Sequence, residues 1–171
     1  VFGASSDNDQ KPKGGLKSGW VPILTILGLG GRDADKSIAE MSFNTLSGEI
    51  KLCLEDAKHS DTLLSEYFVE TVNAMLLIVG GPQDVVSHLA IDQIVSLANA
   101  LGSGSFSAPH IKRKSTTSSA LEHSLVEDAS KQKFGLWWPV LLGLSRSIGD
   151  PRPAVRARSL EALFGIINKH F

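Results

Sequence analysis

The chain has 171 residues, of which 42% are hydrophobic and 20% are charged, and its formal net charge is −1 at pH 7. These values are typical of one globular domain with a sizeable core, and the charge excludes a general attraction to nucleic acid or to an acidic membrane. The single cysteine, Cys53, excludes an internal disulfide and a cysteine-based zinc site. No signal peptide and no apolar run of membrane-spanning length is expected, and the start at Val1 and the apolar end at Phe171 indicate a piece of a longer protein.

The first 15 residues are polar and include two adjacent glycines, so we expect a flexible N-terminal linker over 1–15 and one domain over 16–171. Ser18 is a favourable cap for a first helix, and the glycine-rich stretch 28–31 ends that helix. This stretch superficially resembles a phosphate-binding loop. It follows a helix, however, and lacks the Gly-Lys-Ser/Thr ending of such loops, so we interpret it as a helix terminator.

Apolar residues three to five positions apart predict three further helices. Their expected bounds are Lys36 to Ala57, Asp61 or Thr62 to the stop at Gly80, and Asp84 to Leu101. The inward residues predicted for the second helix are Ile38, Met41, Leu46, Ile50, Cys53 and Leu54. Those predicted for the fourth helix are Val85, Leu89, Ile91, Ile94, Val95 and Leu97.

Residues 103–129 break the helical pattern with glycines, Pro109 and a basic, serine- and threonine-rich run. This composition offers little apolar surface to bury, so we expect a mobile insertion that is dispensable for folding. Leu121, Leu125 and Val126 leave a short docked helix as an alternative within it. The basic cluster 112–114 indicates a solvated loop, with a phosphosite region or a docking point for an acidic partner as alternatives.

The last third of the chain contains two amphipathic helices around a turn at 148–153, and this pair repeats the first two helices. Aligning Pro22 with Pro139 brings Asp33 opposite Asp150 without a gap. A repeated helix pair cannot bury its apolar face alone and must stack on a neighbour. The predicted fold is therefore all-α, an α-solenoid of three antiparallel helix pairs. The inward residues predicted for the last two helices are Trp137, Trp138, Val140, Leu141, Leu142, Leu144, Val155, Leu160, Leu163, Phe164, Ile166 and Ile167.

The residues indicate no catalytic, metal or cofactor site. None of the five histidines pairs with another at metal-ligand spacing. Asp84 and His88, four positions apart on one helix, are more often a surface pair than half of a catalytic site. We therefore expect no enzymatic activity and no cofactor in this chain. A small helical ligand-binding protein or enzyme is an alternative of a different class.

Positive charge concentrates around the last turn. We expect Asp150 to cap the last helix or to bond across the turn, and Arg156 to be held by a backbone or acidic partner. Arg146, Arg152 and Arg158 are candidate contacts with a protein partner or with lipid phosphates. In the structural alternative, arginines here bridge to a neighbouring turn.

Trp138-Pro139 with Leu141-Leu142, then Asp150 to Arg156, then Leu160 to Phe164, resemble the HEAT repeat, one of the armadillo-like helix pairs. The order of such segments along the chain resembles the C-terminal helical region of the large Arf guanine-nucleotide exchange factors of the BIG/GBF type. The resemblance covers roughly residues 18–60 and 134–171.

This resemblance implies a non-catalytic regulatory or scaffold segment that acts in Golgi vesicle trafficking, in the cytoplasm and peripheral to Golgi membranes. It implies a small GTPase or other domains of the parent protein as partners, with an anionic membrane surface and a homodimer as further candidates and no nucleic acid. A HEAT-repeat interaction scaffold unrelated to Arf is the alternative.

Overall fold

A computed structural model describes residues 19–55, 63–105 and 122–171, with side chains from residue 135 onward in the last segment. Six α-helices make up nearly all of this described part, and no strand occurs in it. They are α1 (Trp20–Gly30), α2 (Lys36–Glu55), α3 (Leu63–Val79), α4 (Asp84–Ser103), α5 (Glu122–Ser147) and α6 (Pro153–His170). The predicted all-α class is confirmed.

Glycine and aspartate set the ends of the first two helices. α1 follows Gly19, whose φ of 94° is a left-handed conformation that favours glycine. α1 ends at the glycines that the sequence indicates as a helix terminator. Asp35 caps α2, because its Oδ1 accepts hydrogen bonds from the backbone N–H groups of Ser37 and Ile38.

The six helices pack in two layers. α1, α3 and α5 pack in order in one layer, and α2, α4 and α6 pack in order in the other. Across the layers α1 contacts α2, α3 contacts α4 and α5 contacts α6, and each of these pairs is joined by a short turn. The middle pair, α3 with α4, therefore packs against both of the others.

α4 lies at the centre of this arrangement. It contacts α2, α3, α5 and α6, and its Ile91, Ile94 and Leu97 have no exposed surface. Within the described residues, α4 is also the one helix long and apolar enough to cross a membrane. Burial inside the helix stack accounts for this character, because a helix surrounded by other helices is apolar on most of its sides.

In α2, α4 and α6 only part of the predicted inward face is buried in the structure. The fully buried positions include small residues, such as Ala39 in α2, Ala90 in α4 and Ser159 in α6. Close approach of two helices needs small side chains, and a pattern read from large apolar residues alone misses them. The residues of these three helices that are predicted to point inward and are instead exposed are Ile38, Met41, Val85, Leu89, Leu160, Phe164 and Ile167, and in α5 Trp138 is exposed as well.

At the C-terminal end of the predicted insertion over 103–129 the structure has a helix, as the alternative around Leu125 and Val126 predicts. α5 begins at Glu122, so residues 122–129 belong to a helix, and Pro139 lies inside α5. The sequence over 122–134 has no glycine or proline and is rich in Glu, Gln and Lys, which are good helix formers. The predicted linker over 1–15, residues 106–121 of the predicted insertion, and the predicted helix ends within 56–62 lie outside the described residues.

Candidate interaction site at the inter-helix turns

Asp150 and Arg152 form a salt bridge within the turn between α5 and α6. Asp150 Oδ1 accepts hydrogen bonds from the backbone N–H and from Nε of Arg152, both at 2.9 Å. Asp150 Oδ2 accepts a third bond from Arg152 Nη2 at 2.9 Å. Two parallel bonds between a guanidinium and a carboxylate fix the geometry of both groups. Arg152 itself is the residue that precedes α6, so Asp150 bonds across the turn from two residues upstream.

The Arg152 guanidinium also reaches the preceding turn, between α3 and α4. Its Nη1 donates to the Gly81 carbonyl oxygen at 2.6 Å, and its Nη2 donates to the Val79 carbonyl oxygen at 2.7 Å. Nη1 further contacts Ser87 Oγ at 3.0 Å and Asp84 Oδ1 at 3.2 Å. One side chain therefore links the third helix pair to the second through four residues.

Arg156 closes the turn from its other side. Its Nη1 donates to the carbonyl oxygens of Asp150 and Pro151, at 3.1 and 3.0 Å. The pKa of Asp150 lies below its ordinary value, chiefly because the Arg152 side chain donates to its carboxylate. The positive charges of Arg152 and Arg156 lower this pKa further, against the effect of burial. The carboxylate is thus held in its charged form.

Gln83 makes the corresponding link between the second turn and the first. It precedes α4 as Arg152 precedes α6, and its Nε2 donates to the Ala34 carbonyl oxygen at 3.0 Å. Gly81 lets the two turns approach closely, because a Cβ there would lie 2.6 Å from the carbonyl oxygen of Gly31. The sequence interpretation missed Gln83, and its only signal is its place before the helix start at Asp84.

The first and last turns share one pattern of backbone bonds, at the spacing that separates Pro22 from Pro139. The Asp33 N–H donates to the Gly30 carbonyl oxygen at 3.1 Å, and the Asp150 N–H donates to that of Ser147 at the same distance. Asp33 Oδ1 accepts from the N–H of Asp35 at 2.8 Å, as Asp150 does from Arg152. Asp33 is therefore the structural counterpart of Asp150, as the gapless alignment indicates.

The three candidate contact arginines differ in environment. Arg158 bridges α6 to α4, because its Nε donates to Asp92 Oδ1 at 3.0 Å, and its Nη1 also bonds Glu161 Oε2 at 2.7 Å. Arg146, in the last turn of α5, is exposed. Arg152 and Arg158 therefore hold the third pair to the second, in line with the bridging alternative, while Arg146 faces solvent.

The two adjacent tryptophans of α5 also differ. Trp137 is buried, and its ring lies 5.1 Å from the His170 ring and 5.2 Å from the Phe171 ring, between centroids. Trp138 is 63% exposed. Successive residues of a helix point about 100° apart, so two adjacent side chains do not share one buried face. The prediction that both tryptophans belong to the core is wrong for Trp138.

The described residues show no group of three His, Cys, Asp or Glu side chains that could hold a metal ion. A depression between α1 and α3, lined by residues such as Val21, Leu24 and Glu70, has a volume of about 160 Å³. Pockets for small ligands usually measure about 300–1,000 Å³.

Comparison with known proteins gives similar relatives in Arabidopsis thaliana. The chain is 27% identical over 162 residues to brefeldin A-inhibited guanine nucleotide-exchange protein 4, 24% over 167 residues to protein 2 and 26% over 167 residues to protein 1. Each match covers 91% of this chain and 9% of the relative, so the chain spans about a tenth of their length. No family model matches the chain. No solved structure matches it either. The chain is thus related over most of its length to a segment of a large Arf guanine-nucleotide exchange factor, which confirms the resemblance found in its sequence.

Proposed function

We propose that the chain is a non-catalytic regulatory or scaffold segment of such an exchange factor, that it acts in Golgi vesicle trafficking, and that it works by binding. In this proposal its three helix pairs form a short α-solenoid of the HEAT type. The main support for the proposal is a hydrogen bond that recurs between successive inter-helix turns. Gln83 and Arg152 each donate to a backbone carbonyl oxygen of the preceding turn.

The packing order supports the α-solenoid. In such proteins each repeat contacts only its neighbours, and equivalent helices of successive repeats pack side by side. The rows α1–α3–α5 and α2–α4–α6 have this order. The matching bonds around Asp33 and Asp150 support a common origin for the first and last pairs.

The use of the polar side chains supports binding rather than chemistry. Asp150, Arg152 and Arg156 form a group of charged residues at the last turn, where Asp150 and Arg156 hold the turn itself and Arg152 joins it to the backbone of the preceding turn. Catalytic groups, in contrast, face a cleft where a substrate can reach them. We therefore assign nucleotide exchange to other parts of the parent protein.

A small GTPase or another domain of the parent protein is the partner we propose, with an anionic Golgi-like membrane as a further surface. Arg146 and the exposed edge of Arg158 form the proposed contact, at about 1 kcal/mol for each charge near an anionic membrane. Arg152 is left out, because its guanidinium is engaged with the turn at Gly81. The proposed location is the cytoplasm, peripheral to Golgi membranes.

The test is a pull-down of small GTPases, each loaded with GDP or with a GTP analogue, on the immobilised chain, together with flotation on anionic and neutral liposomes. We expect retention of a GTPase in one nucleotide state, weakened by salt because exposed charges are screened over about 8–10 Å. Arg146→Glu should reduce retention, whereas Arg32→Glu, an exposed arginine at the first turn, is the matched control. Absence of any retained GTPase and of any flotation would contradict the proposal.

A further inference from the structure

The depression between α1 and α3 lies between two neighbouring helices of one layer. Its apolar wall consists of Val21 and Leu24 from α1, with Ala74 and Leu77 from α3. Further along α1 the two helices approach closely at Gly28, where an added Cβ would lie 3.1 Å from the Cα of Ala74. The depression opens beside this contact, where α1 carries larger residues instead of glycine. It is therefore a product of the packing of these two helices.

The size of the depression suits one long side chain. Its volume of about 160 Å³ holds roughly five groups of the size of a water molecule, each of which takes about 30 Å³ in the liquid. A lysine side chain consists of four methylene groups and one ammonium group. Lysine commonly lays its apolar stem along an apolar surface and keeps its charged head at the edge of that surface. An apolar wall with a negative charge beside it therefore fits a lysine side chain.

Glu70 supplies that negative charge among the residues that line the depression. The residue is half-buried, and within the described part of the chain it has no hydrogen bond or ion pair. A carboxylate that loses part of its water without a partner costs free energy, which a bound cation recovers. Thr25 and Asn73 complete the polar lining. The Thr25 hydroxyl donates to the Val21 carbonyl oxygen at 2.8 Å, so its oxygen is left to accept a bond from an ammonium group.

The charge of the two helices is complementary to a basic ligand. α1 has no charged residue, and α3 has Glu66 and Glu70 but no lysine, arginine or histidine. Glu66 is exposed and lies about one helical turn before Glu70, so both carboxylates act on a charge that enters the depression. Like charges at a binding surface suppress the wrong partner. The depression therefore favours a basic side chain over an acidic one.

We propose that this depression binds a lysine side chain from a basic peptide segment of a partner protein. The stem packs on Val21 and Leu77, and the ammonium group donates to the Glu70 carboxylate. The site is separate from the proposed contact at Arg146 and Arg158, which lies on α5 and α6 and suits an acidic surface. The inference thus goes beyond the proposed function and does not rest on it.

Heteronuclear NMR tests the proposal by titration of the full chain with three short capped peptides. Their flanks of glycine and serine are identical, and the central residue is lysine, norleucine, which keeps the stem without the charge, or glutamate. We expect the lysine peptide to shift the backbone amide signals of Val21, Thr25, Glu70 and Asn73 in a saturable way. The norleucine peptide should bind about fivefold more weakly, the upper end of the range for a partly exposed ion pair. The glutamate peptide should leave these signals unchanged.

Three variants separate the contributions of the charge and of the apolar wall. Glu70→Gln should weaken binding of the lysine peptide about fivefold and leave that of the norleucine peptide unchanged. Glu66→Gln is the matched control, because it makes the same change on the same helix outside the lining of the depression. It should weaken binding by less than about twofold, since exposed charges are screened by salt. Val21→Ser should weaken both peptides by the same factor. The dispersion of the NMR signals checks that each variant is folded.

Two results overturn the proposal directly. One is the lack of a saturable shift at the four amides, and the other is an equal loss for Glu70→Gln and Glu66→Gln. A combined Lys11→Ser, Lys13→Ser and Lys17→Ser variant that moves the same signals without peptide overturns it too, because the chain's own N-terminal segment would then fill the depression. The titration contains no GTPase and no membrane, so the proposed function is judged separately by the pull-down.

Discussion

Gln83 and Arg152 occupy the same place before the second helix of their pairs, and each donates a hydrogen bond to a backbone carbonyl of the preceding turn. Asp35 holds this place in the first pair, where it caps its own helix instead. A backbone carbonyl near the core loses its water on folding, and a side chain that reaches it restores a bond. These links therefore fix the spacing of successive turns.

Arg152→Ala should lower the free energy of unfolding by about 2–3 kcal/mol, because hydrogen bonds to charged groups are strong and several acceptors lose their donor at once. Arg158→Ala is the matched control. It removes the partly exposed ion pairs of Arg158, a residue of α6, with Asp92 and Glu161 and should cost less than about 1 kcal/mol. Urea denaturation measures both changes, and equal losses for the two variants would contradict the assigned role of Arg152.

Asp150→Ala should cost about 1.5–3 kcal/mol at neutral pH, since it removes a charged acceptor of the turn N–H and of Arg152. The pKa of this carboxyl is lowered from its ordinary 3.8 in the folded chain. The charged carboxylate therefore stabilises the folded chain fully at pH values above 3.8. This stabilisation is lost as the pH falls from 3.8 through the lower pKa of the folded chain, because in that range the unfolded chain binds more protons than the folded chain. Asp150→Asn should flatten the stability curve in this acid window, and an unchanged acid slope would argue against the pair.

His170 predicts a second pH dependence at the end of α6. Its pKa is lowered from 6.5, first by desolvation and then by the neighbouring charge of Lys169. The folded state favours the neutral ring, so His170 does not reduce the stability of the fold above pH 6.5. The free energy of unfolding decreases as the pH falls from 6.5 through the lower pKa of the folded chain, because the unfolded chain binds the proton more readily. His170→Gln should reduce the fall in stability between pH 7 and about pH 5. Unfolding followed by tryptophan fluorescence checks this, since Trp137 packs on the His170 ring. Identical pH profiles would refute it.

Gly81→Ala and Gly165→Ala should change the stability of the fold in opposite directions. A Cβ at Gly81 would lie 2.6 Å from the Gly31 carbonyl oxygen, so the first two turns must separate and stability must fall. A Cβ at Gly165, inside α6, meets nothing within 4 Å. There alanine should raise the thermal midpoint, because it favours a helix over glycine by about 1 kcal/mol. Thermal unfolding of both variants gives the comparison, and a stabilising Gly81→Ala would disprove the close approach of the turns.

The sequence predicts the helix ends well where glycine or aspartate marks them. The starts of α2 and α4 agree with the prediction. Asp35, which caps α2, and Pro82, just before α4, mark these starts in the local sequence, without any need for tertiary contacts. Helix faces are predicted less well. In α6 the inward positions include Ser159 and Ala162, whose small size suits close helix contact but gives no apolar signal.

The candidate site shows a similar division. The pairing of Asp150 with its own turn follows from local spacing, whereas the reach of Arg152 to Gly81 joins residues 71 positions apart. Only the packed arrangement of two helix pairs defines that contact. The sequence therefore leaves Arg152 open between a partner contact and a bridge to a neighbouring turn, and its guanidinium makes the bridge.

The central claim is that this chain binds and does not catalyse exchange, and nucleotide release from a GTPase tests it most directly. A small GTPase that the chain retains is loaded with a fluorescent GDP analogue and mixed with increasing concentrations of the chain. We expect a rate of nucleotide release equal to that of the GTPase alone at every concentration. A release rate that rises with the concentration of the chain would contradict it.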